Sequence, residues 1–190
     1  MGKKHSTLSD EHLERLRSKT QFSDEEIQKW HDIFKKDCPS GKMSRSKFEE
    51  LYCSYFPEGD AKKFARHCFR TFDKNNDGTI DFREFLCSLS IISRGSQEEK
   101  LKWAFSMYDI DSSGTINREE MLEIVRAVFK VAGRTKVKLA RDESTPERMA
   151  HKIFSLLDAN KDGNINEAEF IAGAKQYPTF MKLLENPSCM

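Results

Sequence analysis

No stretch of this sequence approaches the roughly 18 consecutive apolar residues that a membrane-spanning helix needs. The polar start MGKKHSTLSD also lacks the apolar core of a secretory signal, so the expectation is a cytoplasmic chain. An excess of one charge is missing too: 32 Lys and Arg face 31 Asp and Glu, and a net charge of +1 offers no bulk attraction for nucleic acid. Cys38, Cys53, Cys68, Cys87 and Cys189 are odd in number and never spaced CxxC, so they imply neither a disulfide framework nor a zinc cluster. Cys53, Cys68 and Cys87 fall in apolar helical stretches and read as small core residues, leaving Cys38 as a candidate for redox chemistry. The histidines, His5, His12, His31, His67 and His151, form no ligand-spaced pair. No serine or cysteine lies in a recognisable nucleophile motif, so the chain does not read as an enzyme.

What is present is one pattern written three times. Oxygen-bearing side chains keep the same offsets around a glycine in Asp73, Asn75, Asp77, Gly78 and Glu84; in Asp109, Asp111, Ser113, Gly114 and Glu120; and in Asp158, Asn160, Asp162, Gly163 and Glu169. A calcium ion takes roughly six to eight hard oxygens at about 2.3–2.6 Å, so a short loop must turn sharply and aim alternate residues inward. Glycine at the sixth loop position permits the turn. Positions one, three and five supply side-chain oxygens, seven a backbone carbonyl, nine often a water-held contact, and twelve a two-oxygen glutamate. Position seven falls on Thr79, Thr115 and Asn164. A strict match is expected by chance in on the order of one chain per several thousand of this length, so the two strict copies decide for metal. The middle copy carries Ser113 at position five, which still offers an oxygen.

A single helix-loop-helix hand cannot bury its own apolar face, so three loops imply a fourth. It lies in KDCPSGKMSRSK, where Gly41 holds position six and Met43 position eight. Its ligand positions read Lys36, Cys38, Ser40 and Lys47, with Pro39 stiffening the turn, and a cation at each end repels calcium. The expectation is an all-α fold of four hands in two paired lobes, the first hand degenerate and structural. Ile80, Ile116 and Ile165, with Met43, should make short strand contacts between paired loops. Helix starts are marked by Ser23 with Glu26, Ser96 with Glu99, and Thr145 before Pro146, while Asp81, Asn117 and Asn166 cap the exiting helices. The hands then span about 24–56, 61–92, 97–132 and 146–177. The domain reading is an N-terminal segment 1–23, a first pair 24–92, a hinge 93–96, a second pair 97–180 and a tail 181–190, with a looser connection at 133–145.

Apolar spacing is helical in every hand and reads first as core. The number of rings is the exception. Twelve of the 20 aromatics precede residue 96, among them Phe22, Trp30, Phe34, Phe48, Tyr52, Phe64 and Phe85. A small two-hand lobe cannot bury so many large rings, so some should line a groove for a lipid or an amphipathic helix. Met1, Gly2 and Ser6 fit the pattern for N-myristoylation at Gly2. One such chain partitions into bilayers with only about 10⁴ M⁻¹, and each of Lys3 and Lys4 adds roughly 1 kcal/mol on an anionic leaflet, which makes attachment reversible.

The segments MGKKHS, KDCPSG, FRTFDKNNDGTIDFREF, WAFSMYDIDSSGTINREEMLEIV and DESTPE together resemble the neuronal calcium sensor family of EF-hand proteins, nearest its visinin-like, hippocalcin and neurocalcin branch. The resemblance covers essentially the whole chain. It implies two lobes of paired EF-hands, calcium in the second, third and fourth loops, and a calcium-myristoyl switch with the acyl chain on Gly2. It maps Phe22, Trp30, Phe34, Phe48, Tyr52, Phe64, Phe85 and Leu89 onto a groove that hides the acyl chain without calcium. With calcium the lobes turn about Gly95, and the groove opens to a target helix while the chain becomes peripheral on membranes. Two departures stand out: the fourth loop offers three carboxylates and reads as competent, and the run Lys136, Val137, Lys138, Leu139, Ala140, Arg141 is more basic than the resemblance implies; the tail from Phe180 to Met190 is also individual. A calcium buffer without a groove is the alternative, and an enzyme with regulatory hands fails on length. Magnesium in the resting loops and a homodimer both stay open.

Overall fold

The computed structural model describes residues 8–55, 61–132, 145–177 and 180–181. Gly2 and Lys3, the 133–144 connection with its basic run, and the tail from 182 lie outside the described residues. Eight helices pair around four loops in chain order: α2 (Asp24–Asp37) with α3 (Arg45–Tyr55), α4 (Ala61–Phe72) with α5 (Phe82–Arg94), α6 (Gln97–Tyr108) with α7 (Arg118–Ala132), and α8 (Pro146–Leu157) with α9 (Glu167–Gln176). Their starts follow from local chemistry. Ser23, Asp81, Ser96 and Asn166 each accept from the backbone three residues on, and the glutamate there returns a carboxylate to the cap's own N–H. Thr145 caps α8 with Pro146 at its first position.

Among the described residues a further helix, α1 (Asp10–Arg17), occupies the segment read from sequence only as an N-terminal extension. Its signals were present: Ser9 caps it, Asp10 and Glu11 fill the first turn, and Leu13 and Leu16 stand one turn apart. Leu16 joins Phe22, Ile27 and Leu86 in a small cluster, with Leu8, Leu13, Trp30, Phe82 and Leu89 packed against it. Thus α1 lies over the junction of α2 and α5.

Position-eight residues form the strand contacts. Strand β1 (Lys42–Ser44) pairs antiparallel with β2 (Thr79–Asp81), placing Met43 opposite Ile80. Strand β3 (Thr115–Ile116) pairs with β4 (Ile165–Asn166), placing Ile116 opposite Ile165. One continuous apolar core runs through both lobes. Helix α4 is the bridge, since it packs on α3 and α5 of its own lobe and on α6 and α7 of the other. Phe72 meets Trp103 edge-on with ring centroids 6.3 Å apart. Between the lobes α5 continues through Arg94, and the backbone breaks at Gly95, where a Cβ would collide with the Ile91 carbonyl. Phe180, at the far end, is fully buried against Tyr108 and Phe170.

Candidate metal centres

Each complete loop is braced by hydrogen bonds from its own backbone to its acidic side chains. Gly78, Gly114 and Gly163 have φ of +81°, +85° and +87°, and the residues at position four, Asn76, Ser112 and Lys161, also lie in the left-handed region. That turn aims backbone N–H groups at the carboxylate of position one. Gly78 N donates to Asp73 Oδ2 at 2.9 Å, Gly114 N to Asp109 Oδ2 at 3.0 Å, and Gly163 N to Asp158 Oδ2 at 3.2 Å. The glutamate at position twelve folds back over the loop. Glu84 accepts from Asn75 N (3.1 Å) and Asp81 N (3.0 Å), Glu120 from Ile110 N (2.8 Å) and Asn117 N (2.9 Å), and Glu169 from Asn160 N (3.2 Å) and Asn166 N (3.1 Å). Position seven lies in β2 for Thr79 and in β3 for Thr115, with Asn164 just before β4.

The middle loop, the one with Ser113, brings three acidic side chains together. Single oxygens of Asp109, Asp111 and Glu120 all lie within 4.8 Å of one another. Ser113 turns its hydroxyl to the Thr115 carbonyl at 3.1 Å, and hydrogen bonds from Ser113 hold the Asp111 carboxyl below its usual range. In the first complete loop, Asp77 Oδ1 accepts from Thr79 N and the Thr79 hydroxyl at 2.8 and 2.6 Å. The Thr79 hydroxyl first, then Lys42 and the Thr79 backbone N–H, hold its carboxyl down to about 2.

Burial is what separates these acids from the rest of the surface. Among the described residues the buried carboxylates are Asp73, Glu84, Asp109, Glu120 and Asp158, each at position one or twelve of a loop. Carboxylates out of water need a cationic partner, yet none of these five has an ion pair within 4 Å among the described residues. Asp158 Oδ1 is buried with no hydrogen-bond donor at all. An anionic, oxygen-only donor set around a glycine turn fits a hard divalent cation, and calcium before softer metals.

The degenerate loop differs in shape as well as charge. Gly41 keeps the positive φ of +81°, but Pro39 stands at position four, where its ring forbids the left-handed turn that Asn76, Ser112 and Lys161 make. Lys47 turns away to Glu50 at 2.9 Å. Cys38 is buried and its thiol is pushed up by burial, which disfavours the thiolate that redox chemistry needs.

The groove residues read from sequence pack on one another and on α1. Phe22, Phe34, Phe48 and Phe64 are buried, while Trp30, Tyr52, Phe85 and Leu89 are half-buried. Phe85 touches Trp30 and Phe34 with centroids 6.1 and 5.3 Å away, and Tyr52 contacts Phe48 and Phe64.

Family comparisons agree with the loop geometry. Residues 98–175 match a family model described as an EF-hand domain pair, and residues 64–90 match an EF hand domain. The chain is 43% identical over 183 residues to S-modulin of Aquarana catesbeiana, covering 96% of this chain and 91% of that protein. It is 43% identical to human recoverin over 96% of this chain and 92% of recoverin. Neuronal calcium sensor 1 of Lymnaea stagnalis is 46% identical over 97% of this chain and 96% of that protein. The chain belongs to the neuronal calcium sensor family. As a member of that family it is a calcium-sensor regulator and not an enzyme.

Three features of this sensor escaped the sequence reading because they join distant segments. The Arg70 guanidinium of α4 donates to the carbonyls of Met107 at 2.8 Å and Asp109 at 3.3 Å, capping the C-terminus of α6 where the third loop starts. His67, one turn earlier, faces Glu123 of α7. Beside Gly95, Arg94 pairs with Glu26, donates to Gln21 O at 2.6 Å and lies 4.5 Å over the Phe22 ring. The hydrogen bond from Arg94 is the main reason the Glu26 carboxyl is held down to about 2.

Proposed function

We propose that this neuronal calcium sensor is a three-site calcium-myristoyl switch. The loops beginning at Asp73, Asp109 and Asp158 each bind one calcium ion, and the loop beginning at Lys36 binds none. The observation that carries the reading is the confinement of buried, unpaired carboxylates to the ends of those three loops. Calcium would supply the positive charge these oxygens lack. Glu84, Glu120 and Glu169 stand on the first turns of α5, α7 and α9, so drawing their carboxylates inward turns those helices.

The turning of α5 matters most for output. Phe85 and Leu89 stand on it between the Trp30 and Phe34 rings and the α1 cluster, so its rotation unpacks Phe22, Trp30, Phe34, Phe48, Tyr52, Phe64, Phe85 and Leu89 as a groove. The acyl chain on Gly2 is the occupant of that groove at rest and goes to the membrane on loading, leaving the groove to an amphipathic helix of a target. The acyl chain with Lys3 and Lys4 is the anchor in this reading; among the described residues no helix is long and apolar enough to cross a membrane.

Sedimentation of acylated protein with anionic liposomes tests this. The expected result is pelleting in calcium and not in chelator, lost when Gly2 is replaced by Ala. Equal pelleting in both conditions would refute the switch.

A further inference from the structure

We propose that Lys42 of the metal-free first loop is an intramolecular competitor for the second loop and lowers its calcium affinity. The proposal rests on the reading of the second loop as a calcium site.

Lys42 occupies position seven of the degenerate loop, on β1, directly opposite Asp81 of β2. From there its ammonium reaches across the pair to Asp77 Oδ2 at 3.0 Å. Asp77 is the position-five ligand of the second loop. Its Oδ1 is already engaged by Thr79, so Oδ2 is the oxygen left to coordinate, and Lys42 holds it with Asn75 Nδ2 at 3.4 Å. A divalent ion entering the cage must therefore displace a resident cation from one of its own ligands. When displaced, Lys42 stays tethered by the strand pair, so its charge continues to oppose the ion from a few residues away.

The other lobe supplies the internal control. There position seven is Thr115 in one loop and Asn164 in its partner, neither of them cationic, and Asp162 Oδ2 meets the Asn160 amide at 2.8 Å. The first hand thus does more than complete the fold: by placing a lysine where a working loop has a neutral residue, it raises the calcium threshold of its neighbour. Lys42 and Asp77 are both substantially exposed, with side chains 58% and 37% accessible, so the effect is competition and not a block. Exposed pairs of this kind change an equilibrium by about two- to fivefold.

The test measures the second loop alone, in the full chain with Glu120→Gln and Glu169→Gln silencing the other two loops, by calorimetric calcium titration. Lys42→Met, which keeps the stem and removes the charge, should tighten binding about two- to fivefold at low ionic strength. The gain should shrink in 0.5 M KCl, roughly where screening falls to a few ångströms. Lys42→Arg should bind like the parent. The Gly78 amide, followed by NMR in otherwise intact protein, reads the same loop if the silenced chain folds poorly. Equal or weaker binding by Lys42→Met, or a gain insensitive to salt, would overturn the proposal while leaving the second loop a calcium site. If neither protein shows second-loop binding, the site assignment itself fails and the proposal with it.

Discussion

Acidification should loosen the seam between the two lobes through a single side chain, His67. Its imidazole lies on α4 with only 8% of its side-chain surface accessible, facing α7, and its Nε2 makes no hydrogen bond although Glu123 Oε1 is 3.3 Å away. Burial is the dominant influence and pushes the ring from 6.5 down to about 4; Glu123 pulls the other way, and the charges of Arg70 and Lys63 add to the depression. In the unfolded chain the ring returns to 6.5, so between 6.5 and about 4 the unfolded state binds the extra proton. His67 therefore contributes stability that is whole above pH 6.5 and is lost as the pH falls toward 4. A drop of about 2.5 pH units corresponds to roughly 3 kcal/mol in full, of which about 2 kcal/mol is lost between pH 7 and pH 5. Urea unfolding of metal-free protein at pH 7, 6 and 5, with wild type beside His67→Gln, isolates the effect, because the carboxylates of the cages titrate in both proteins and cancel in the difference. The wild type should lose about 2 kcal/mol more than the variant over that range. Parallel curves, or an NMR titration placing the folded ring near 6.5, would refute the argument that burial outweighs Glu123.

Three further outcomes are expected. Glu84→Gln, Glu120→Gln and Glu169→Gln should each reduce the calorimetric stoichiometry from about three calcium ions to about two, since each removes the two-oxygen ligand of one loop; an unchanged count for any of them would remove that loop from the proposed set. Gly114→Ala meets no atom within 4 Å, so its cost is purely that of a side chain at φ +85°, about 1–2 kcal/mol in a thermal or urea unfolding measurement of metal-free protein. Arg94→Ala should return the Glu26 carboxyl from about 2 toward 4.5 in an NMR titration. It should also erase the stability that this pair gives above pH 4.5 and that the wild type loses as the pH falls toward 2.

Much of the candidate site could be read directly because it is local. A calcium loop is twelve consecutive residues, so Asp109, Asp111, Ser113, Gly114 and Glu120 are brought together by one turn whose geometry glycine permits. The same holds for the caps: Ser23 with Glu26 and Ser96 with Glu99 are three residues apart and close their own rings of hydrogen bonds. Helix α1 has an equally local signature in the Ser9 cap and the Leu13–Leu16 spacing. Even the loop pairing of Met43 with Ile80 and Ile116 with Ile165 follows from a fixed offset repeated in each hand.

By itself, then, the sequence determined which oxygen-bearing residues share each loop, which loop departs from the pattern, and where the helices begin, because those properties depend on neighbours within a turn or two. Tertiary structure alone decided which cage carboxylates leave water and how the hands are coupled. Asp73, Asp109 and Asp158 are buried in the folded chain, and Lys42 meets Asp77 only because two loops pair across the lobe. The Arg70 cap on the end of α6 and the approach of His67 to Glu123 likewise exist only once α4 is wedged between the lobes. Such contacts join side chains tens of residues apart, and their distances are set by how the whole core closes, which no spacing rule along the chain encodes.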